Sequence, residues 1–294
     1  MSNTLQRVLR LSPKRVLKKA NDVRALRSQA QDADAFMSSY IKSGRTWLRY
    51  IFSHYINETR DLGIEMDLVT MFKVVPNFAT DDLRGFPAFK AQQFNDDVPL
   101  VLVTHRLYNP FLFGKRPIIF LVREPRDVMV SAFFHAVHHK KTFDGDMDQF
   151  LIDDQYGLPA FIRFHNEWAP TLKSLPSVTI RYEDLQEDTA AACRKVFSYL
   201  NWEIDEAALA RAIELSSFEQ MQKVEVRVGI PGHDYDRNDE NSRRARKGIV
   251  GGYKSELTSA QSKLVEQKLI EDLSPEALDH FGFAEYFTET CEPE

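Results

Sequence analysis

Short apolar runs alternate with stretches of helical spacing, and few architectures accommodate that rhythm. The runs are "AFMSSYI" (35–41), "PLVLVT" (99–104), "PIIFLV" (117–122) and "SVTIRY" (177–182). After the first, Trp47, Leu48, Ile51, Phe52 and Tyr55 recur at helical spacing, and further helical stretches fall near 124–139, 158–174, 187–200, 205–214 and 258–280. Strands separated by helices of this length predict a parallel sheet covered on both faces, the α/β class. At 294 residues and 43% hydrophobic the chain can bury one large core, and no repeat or composition shift marks a boundary after residue 35. One domain over 35–294 is therefore expected, preceded by an arm over 1–34. Sheets of this kind bind ligands at the carboxyl ends of their strands, so the residues that follow the runs are the place to look for chemistry.

The arm is basic. Residues 1–30 carry Arg7, Arg10, Lys14, Arg15, Lys18, Lys19, Arg24 and Arg27 against the single acid Asp22, and the apolar spacing predicts two short amphipathic helices broken near Pro13. Such an arm is a solvated segment packed loosely on the domain or a weak membrane-surface contact. The overall charge of −5 argues against a nucleic-acid binder. Cys193 and Cys291 lie far apart and match no metal spacing, so a reducing compartment fits and neither a disulfide framework nor a metal site is implied. No stretch approaches the length of a membrane span and the N-terminus lacks the apolar core of a signal peptide, which reads as a cytoplasmic protein.

"YIKSGRTW" (40–47) places Lys-Ser-Gly between a strand and a helix. Unpaired backbone N–H groups at that junction make an anion cradle, to which Lys42 adds a charge, Thr46 a hydroxyl and Trp47 a flat surface. The order differs from G-x-x-x-x-G-K-[ST], since the lysine precedes the glycine, and a P-loop-type nucleotide kinase or nucleotide-binding protein is the rival reading. Arg123 directly follows a strand with Ser131 eight residues on, Tyr182 opens "YEDL" at another strand end, and "RKGIVGGYKSELT" begins at Arg246. Each has a bland alternative: Arg123 as an ion-pair partner of Glu124 or Asp127, Tyr182 as a half-buried aromatic, Arg246 as solvated surface.

Taken in order, these segments resemble the soluble sulfotransferases that use 3′-phosphoadenosine 5′-phosphosulfate (PAPS). The family reads roughly Y-P-K-S-G-T-T-W, a strand ending in R with S eight residues later, Y-E-D-L, and R-K-G-x-x-G-D-W-K-x-x-F-T. The resemblance runs from about residue 35 to 265 and implies a single-domain, P-loop-kinase-like sulfotransferase fold. It implies that Lys42 and the backbone of Ser43, Gly44, Arg45 and Thr46 hold the 5′-phosphosulfate while Trp47 stacks on adenine. Arg123, Ser131, Arg246 and the Lys247 and Gly248 backbone would hold the 3′-phosphate, and Tyr182, Ser216 and Phe218 would line the adenine pocket. His105, at the end of "LVLVTH" where the family has K-T-H, would be the general base for a small-molecule hydroxyl acceptor. No metal is required by this scheme.

The departures from the family are specific. Ile41 stands for proline, Arg45 for threonine, Gly252-Tyr253 for Asp-Trp and Val103 for the lysine before Thr-His. A dimer element K-x-x-x-T-V-x-x-x-E aligns with Lys254, Thr258, Ser259 and Lys263, of which two differ, so a monomer or a different dimer is expected. His135, His138 and His139 read as a helix end facing the acceptor pocket or solvent rather than a metal site. The polar stretch 226–248 reads as a mobile or disordered loop. Its part 228–245 is either a solvated, flexible loop or a lid whose Asp234, Asp236, Asp239 and Glu240 would favour a cationic or polyhydroxylated acceptor.

Overall fold

Each apolar run becomes a strand. In the computed structural model, which describes residues 13–288, β1 (Ala35–Ser39), β2 (Val101–Thr104), β3 (Ile118–Val122) and β4 (Ser177–Arg181) form a parallel sheet in the order β2-β1-β3-β4. Ser38 pairs with Thr104 and Ser39 with Leu121, so the chain leaves β1, β2 and β3 at one edge.

The inner strands read as unbroken apolar runs because both of their faces are covered. Phe36, Leu102, Ile118, Phe120 and Val122 point into one core, whereas Ala35, Met37, Val101, Val103, Ile119 and Leu121 point into the other. The first core is covered by α1 (Pro13–Asp32), α4 (Leu158–Ser174), α8 (Ser259–Asp272) and α9 (Pro275–Phe281). The second is covered by α2 (Arg45–Thr59), α5 (Thr189–Tyr199) and α6 (Glu206–Leu215). In α2, Leu48, Ile51 and Phe52 are all fully buried; burying side chains of this size stabilises by about 1.5–3 kcal/mol each. At the β2 edge, Pro76 and Phe78 bond to Val103, closing off that row of backbone groups.

Three local expectations change. The second expected helix of the arm starts at Pro13 and, rather than packing loosely, buries Leu26 and Ala30 in the core, so its last turns belong to the domain; the first falls in residues 1–12, outside the described part. The expected helix over 258–280 divides because Pro275 cannot continue α8, and Ser274 caps α9 by accepting from Ala277 N–H. The stretch 124–139 is α-helical over α3 (Pro125–Phe134) and π-helical over His135–His139, a local widening of a kind often found at functional sites. Among the described residues, no helix is long and apolar enough to cross a membrane.

Candidate active site

Between β1 and α2 the backbone is left-handed at Lys42 (φ 65°) and at Gly44 (φ 92°). Left-handed residues alternating with right-handed ones turn successive N–H groups toward one side, and a non-glycine residue in that region is uncommon. The N–H groups of residues 43–46 meet no acceptor among the described residues, whereas Trp47 and Leu48 already bond to the Gly44 carbonyl. Gly44 is needed twice, for its φ and because a Cβ there would lie 2.5 Å from the Tyr182 ring. Ser43 sits behind the turn with its hydroxyl buried and unpartnered. Lys42 Nζ donates to the Arg244 carbonyl at 3.3 Å. Burial, and then the Arg244 guanidinium, push the Lys42 ammonium down to about 7.

Beside this cradle stands a wall assembled from four segments. Arg123 lies 4.3 Å over the Tyr182 ring, donates to the carbonyls of Lys42 (3.3 Å) and Ile249 (3.1 Å), and pairs with Asp127 at 3.4 Å; its Nε is buried without a partner. The Gln186 amide ties the Tyr182 hydroxyl (2.7 Å) to the Gly248 carbonyl (3.0 Å). Gly248 has φ 65°, and a Cβ there would meet the Phe218 ring at 2.4 Å. Arg246 pairs with Glu256 at 2.8 Å and lies over Phe134, and Lys247 reaches the same carboxylate. The Trp47 indole donates to the Ser216 carbonyl at 2.9 Å and meets Tyr182 edge-on at 6.0 Å. Ser131 on α3 faces the same space, while the Ser216 hydroxyl is buried and unpartnered. Asp127 accepts from Gly251 N–H (2.9 Å) and Tyr253 N–H (2.8 Å), fastening the segment that follows Gly248 to α3.

His105 directly follows β2. Its Nδ1 lies 2.8 Å from the Ser39 carbonyl oxygen, which can only accept, so Nδ1 carries the proton and Nε2 keeps a lone pair. Although solvent reaches the ring across the cavity, the surrounding protein atoms and then the Arg45 guanidinium hold its pKa well below the ordinary range. The cradle, the wall and His105 line one cavity of about 580 Å³, within the range of small-molecule sites.

Residues 32–275 match the family model of the sulfotransferase domain. The chain belongs to the sulfotransferase family. Relatives include sulfotransferase 1A1 of Bos taurus, 28% identical over 81% of this chain and 82% of that protein, and the amine sulfotransferase of Oryctolagus cuniculus, 24% identical over 88% and 85%. The fold is shared with a mouse sulfotransferase complexed with PAP, at a TM-score of 0.62 with 21% identity over 90% of this chain and 93% of that one. It is shared also with retinol dehydratase in a complex with retinol and PAP, at 0.62 with 17% identity over 82% and 81%.

In this sulfotransferase the residues read from sequence gather around the cavity, with Ser43 and Ser216 just behind its lining. The Arg45 backbone opens α2 within the cradle, and its side chain adds a charge that acts on the His105 imidazole. None of the four acids of the 226–248 stretch lines the cavity. Asp236 accepts from Asn238 N–H (2.9 Å), and Asp239 from Asn241 N–H (3.0 Å) and the Ser242 hydroxyl (2.6 Å), so they hold the loop's own turns. Ile230, His233 and Arg244 face the cavity instead. The loop is fastened by Glu225 on α7 (Phe218–Val228), whose buried carboxylate accepts from Arg244 N–H (2.7 Å), Ala245 N–H (3.0 Å) and the Tyr235 hydroxyl (2.9 Å).

Of the three helix-end histidines, His135 and His139 stack on each other at 4.5 Å and His138 stands apart. His135 lines the cavity, His138 stacks on Phe134, and His139 is buried against the loop. Among the described residues no group of side chains is arranged to hold a metal ion. His233 Nε2 is met by Arg84 Nη1 (2.8 Å) and Lys140 Nζ (3.0 Å), which can only donate, so it must accept. Its Nδ1–H then donates to His139 Nε2 (2.6 Å), and His139 Nδ1–H to the Ser242 carbonyl (2.7 Å). Both rings are neutral, and burial, their largest influence, pushes them down to about 2 and about 3.

Arg49, Arg84, Lys140 and Arg244 were not singled out from sequence. One cue was present: Arg45 and Arg49 stand at i,i+4 in the first turns of a helix, like charges on one face at the end where cations are unfavourable.

Proposed function

We propose that this chain moves a sulfuryl group from PAPS to a hydroxyl of a small-molecule acceptor by in-line displacement, with His105 as base and Lys42 on the leaving side. The observation that carries the reading is the His105 Nδ1–H bond to Ser39, which leaves the Nε2 lone pair lining the same cavity as the open N–H cradle. The acceptor O–H proton passes to His105 Nε2 as the oxygen attacks sulfur. The bond from sulfur to the 5′-phosphate oxygen breaks, and its electron pair stays on that oxygen, where Lys42 and the N–H groups of residues 43–46 stabilise the charge. The donor is a polyanion and suits what the site leaves unsatisfied: bare N–H groups, two buried hydroxyls and the free Nε of Arg123. Burial is the main influence that depresses His105, and a bound phosphosulfate would offset the second one, the charges of Arg45, Arg244 and Arg49.

Binding of PAP without magnesium, read as a thermal shift, and transfer of labelled sulfate from PAPS test the proposal. Stabilisation by ATP with magnesium and none by PAP would establish the nucleotide-kinase rival. A cytoplasmic setting is supported by the free, buried thiol of Cys193. A monomer, or a dimer through another surface, is supported by Thr258, whose side chain is occupied as the N-cap of α8.

A further inference from the structure

The cavity holds more positive charge than the cradle and wall account for. On the His105 side it is lined by Arg45, Arg49, Arg84, Arg106, Lys140 and Arg244. Among the described residues the only carboxylate within ion-pair distance of any of these six is Asp81, 3.9 Å from Arg84. Arg49 is 3% exposed, with Nη2 on the Asn77 side-chain oxygen at 2.6 Å and Nε buried without a partner. Arg244 Nε is likewise buried and unpartnered, and among the described residues its Nη1 reaches only the Thr46 hydroxyl, at 3.1 Å. Arg84 and Lys140 both direct donors at the single lone pair of His233.

Such an arrangement is unfavourable in an empty site. A buried guanidinium costs several kcal/mol unless its charge is compensated. Here burial first, and then a neighbouring guanidinium, lowers the proton affinity of each: Arg49 and Arg244 act on Arg45, Arg244 and Arg84 on Arg49 and on Lys140, and Arg84 on Arg244, where Glu225 opposes it. The buried acid Glu225 favours the Arg244 charge from a distance, but its oxygens accept from Arg244 N–H, Ala245 N–H and the Tyr235 hydroxyl and bond to none of the guanidinium groups. Local rules broken together at one place mark a functional site, and the missing partner has the opposite charge. The floor is apolar and aromatic: Arg49 lies 4.6 Å over Phe72, and Val103 and Phe78 line the same side.

We propose that the acceptor is itself an anion: a small hydroxylated molecule bearing a carboxylate, phosphate or sulfate group, which sits between Arg49, Arg84 and Arg244 while its hydroxyl faces His105. This rests on the sulfuryl-transfer reading and names the substrate class of that site. Guanidinium forks match the two oxygens of such groups, and neighbouring cations on separate elements select against neutral and cationic acceptors. Val103, standing where the family has a lysine, removes a donor next to the base, so on this reading the charge that orients the acceptor comes from the far wall.

The test uses full-length protein saturated with PAP, so that probes cannot enter the donor half, and four sugars: methyl glucoside, glucosamine, glucuronate and glucose 6-phosphate. PAP binding is measured first, and its failure would count against the sulfotransferase reading itself. With PAP bound, at least one of glucuronate and glucose 6-phosphate should bind at least about tenfold more tightly than methyl glucoside. Glucosamine should bind no better than methyl glucoside. Which anion wins separates a carboxylate from a phosphate acceptor. Arg84→Gln and Lys140→Gln, at partly exposed or exposed positions, should each remove much of that preference while PAP affinity stays unchanged. Equal affinity for neutral and anionic sugars, absence of binding by both anions, or an anion preference indifferent to both substitutions would overturn the proposal and leave the donor assignment standing.

Discussion

The two halves of the cavity are both cationic, yet they are built on opposite terms. In the half that holds Arg123, Arg246 and Lys247, each cation is paired with a carboxylate: the first with Asp127, the other two with Glu256, which they share. In the half around Arg49, Arg84 and Arg244, cations face one another, a histidine lone pair, or only a distant Asp81. A site held by internal ion pairs is organised before its ligand arrives, whereas one held apart by repulsion is completed by its ligand. The difference separates what must stay constant in such an enzyme, the donor, from what distinguishes one member from another.

The sharpest way to break this division is at the reacting atoms, where the largest effects are expected. His105→Ala should lower turnover by about 10²–10⁴ while PAP affinity stays near that of the parent. A phenol acceptor with an acidic hydroxyl, which needs its base less, should recover part of the loss. Lys42→Ala should lower turnover by about 10²–10³, the cost typical of one preorganised donor, with weaker PAP binding and no recovery by acidic acceptors. A matching response of the two variants to acceptor acidity would show that the roles are not divided as described.

Donor recognition offers a smaller and more selective effect. Arg123→Ala should weaken PAP by about 1.5–3 kcal/mol, the range for hydrogen bonds to charged groups, and leave a mimic lacking the 3′-phosphate nearly unaffected. Equal weakening of both, read by calorimetry, would reassign the guanidinium to supporting Tyr182 and the Lys42 carbonyl.

The smallest effect concerns the His139–His233 link behind the acceptor half. Both rings are neutral when folded and hold pKa values of about 3 and about 2, below the ordinary 6.5. Groups depressed in this way contribute stability that is present above pH ~6.5 and lost as pH falls below it, because the unfolded chain takes up the protons first. The midpoint of thermal unfolding should therefore fall between about pH 6.5 and pH 5. His233→Ala should flatten that slope without altering PAP affinity, and an unchanged slope would show that other groups set it.

Much of this division was legible in the chain itself. The strands announced themselves because burial on both faces demands unbroken apolar runs, and the donor half because it is compressed into short contiguous stretches around Lys42, Arg123, Tyr182 and Arg246. The acceptor half is scattered over positions 49, 84, 140 and 244, which come together only through the fold. Arg49 lies between the buried Leu48 and Tyr50, where spacing alone predicts core, and Arg84 sits in an irregular segment without a pattern. The loop acids misled because a carboxylate in a polar stretch gives no indication whether it faces a ligand or a neighbouring N–H. The break at Pro275 could have been read directly, since the residue before proline is pushed out of helical geometry.

His105 and Lys42 hang from adjacent strands, and the ladder between β1 and β2, with Ser39 bonded to the imidazole, sets the spacing between them. Arg49, Arg84 and Lys140 are carried by a helix face, an edge segment and a helix end, none of which belongs to that ladder. The machinery for breaking and making bonds is thereby insulated from the surface that chooses whom to modify. Retargeting such a chain becomes a matter of recharging three side chains, with the reacting pair kept in register by backbone that need not change.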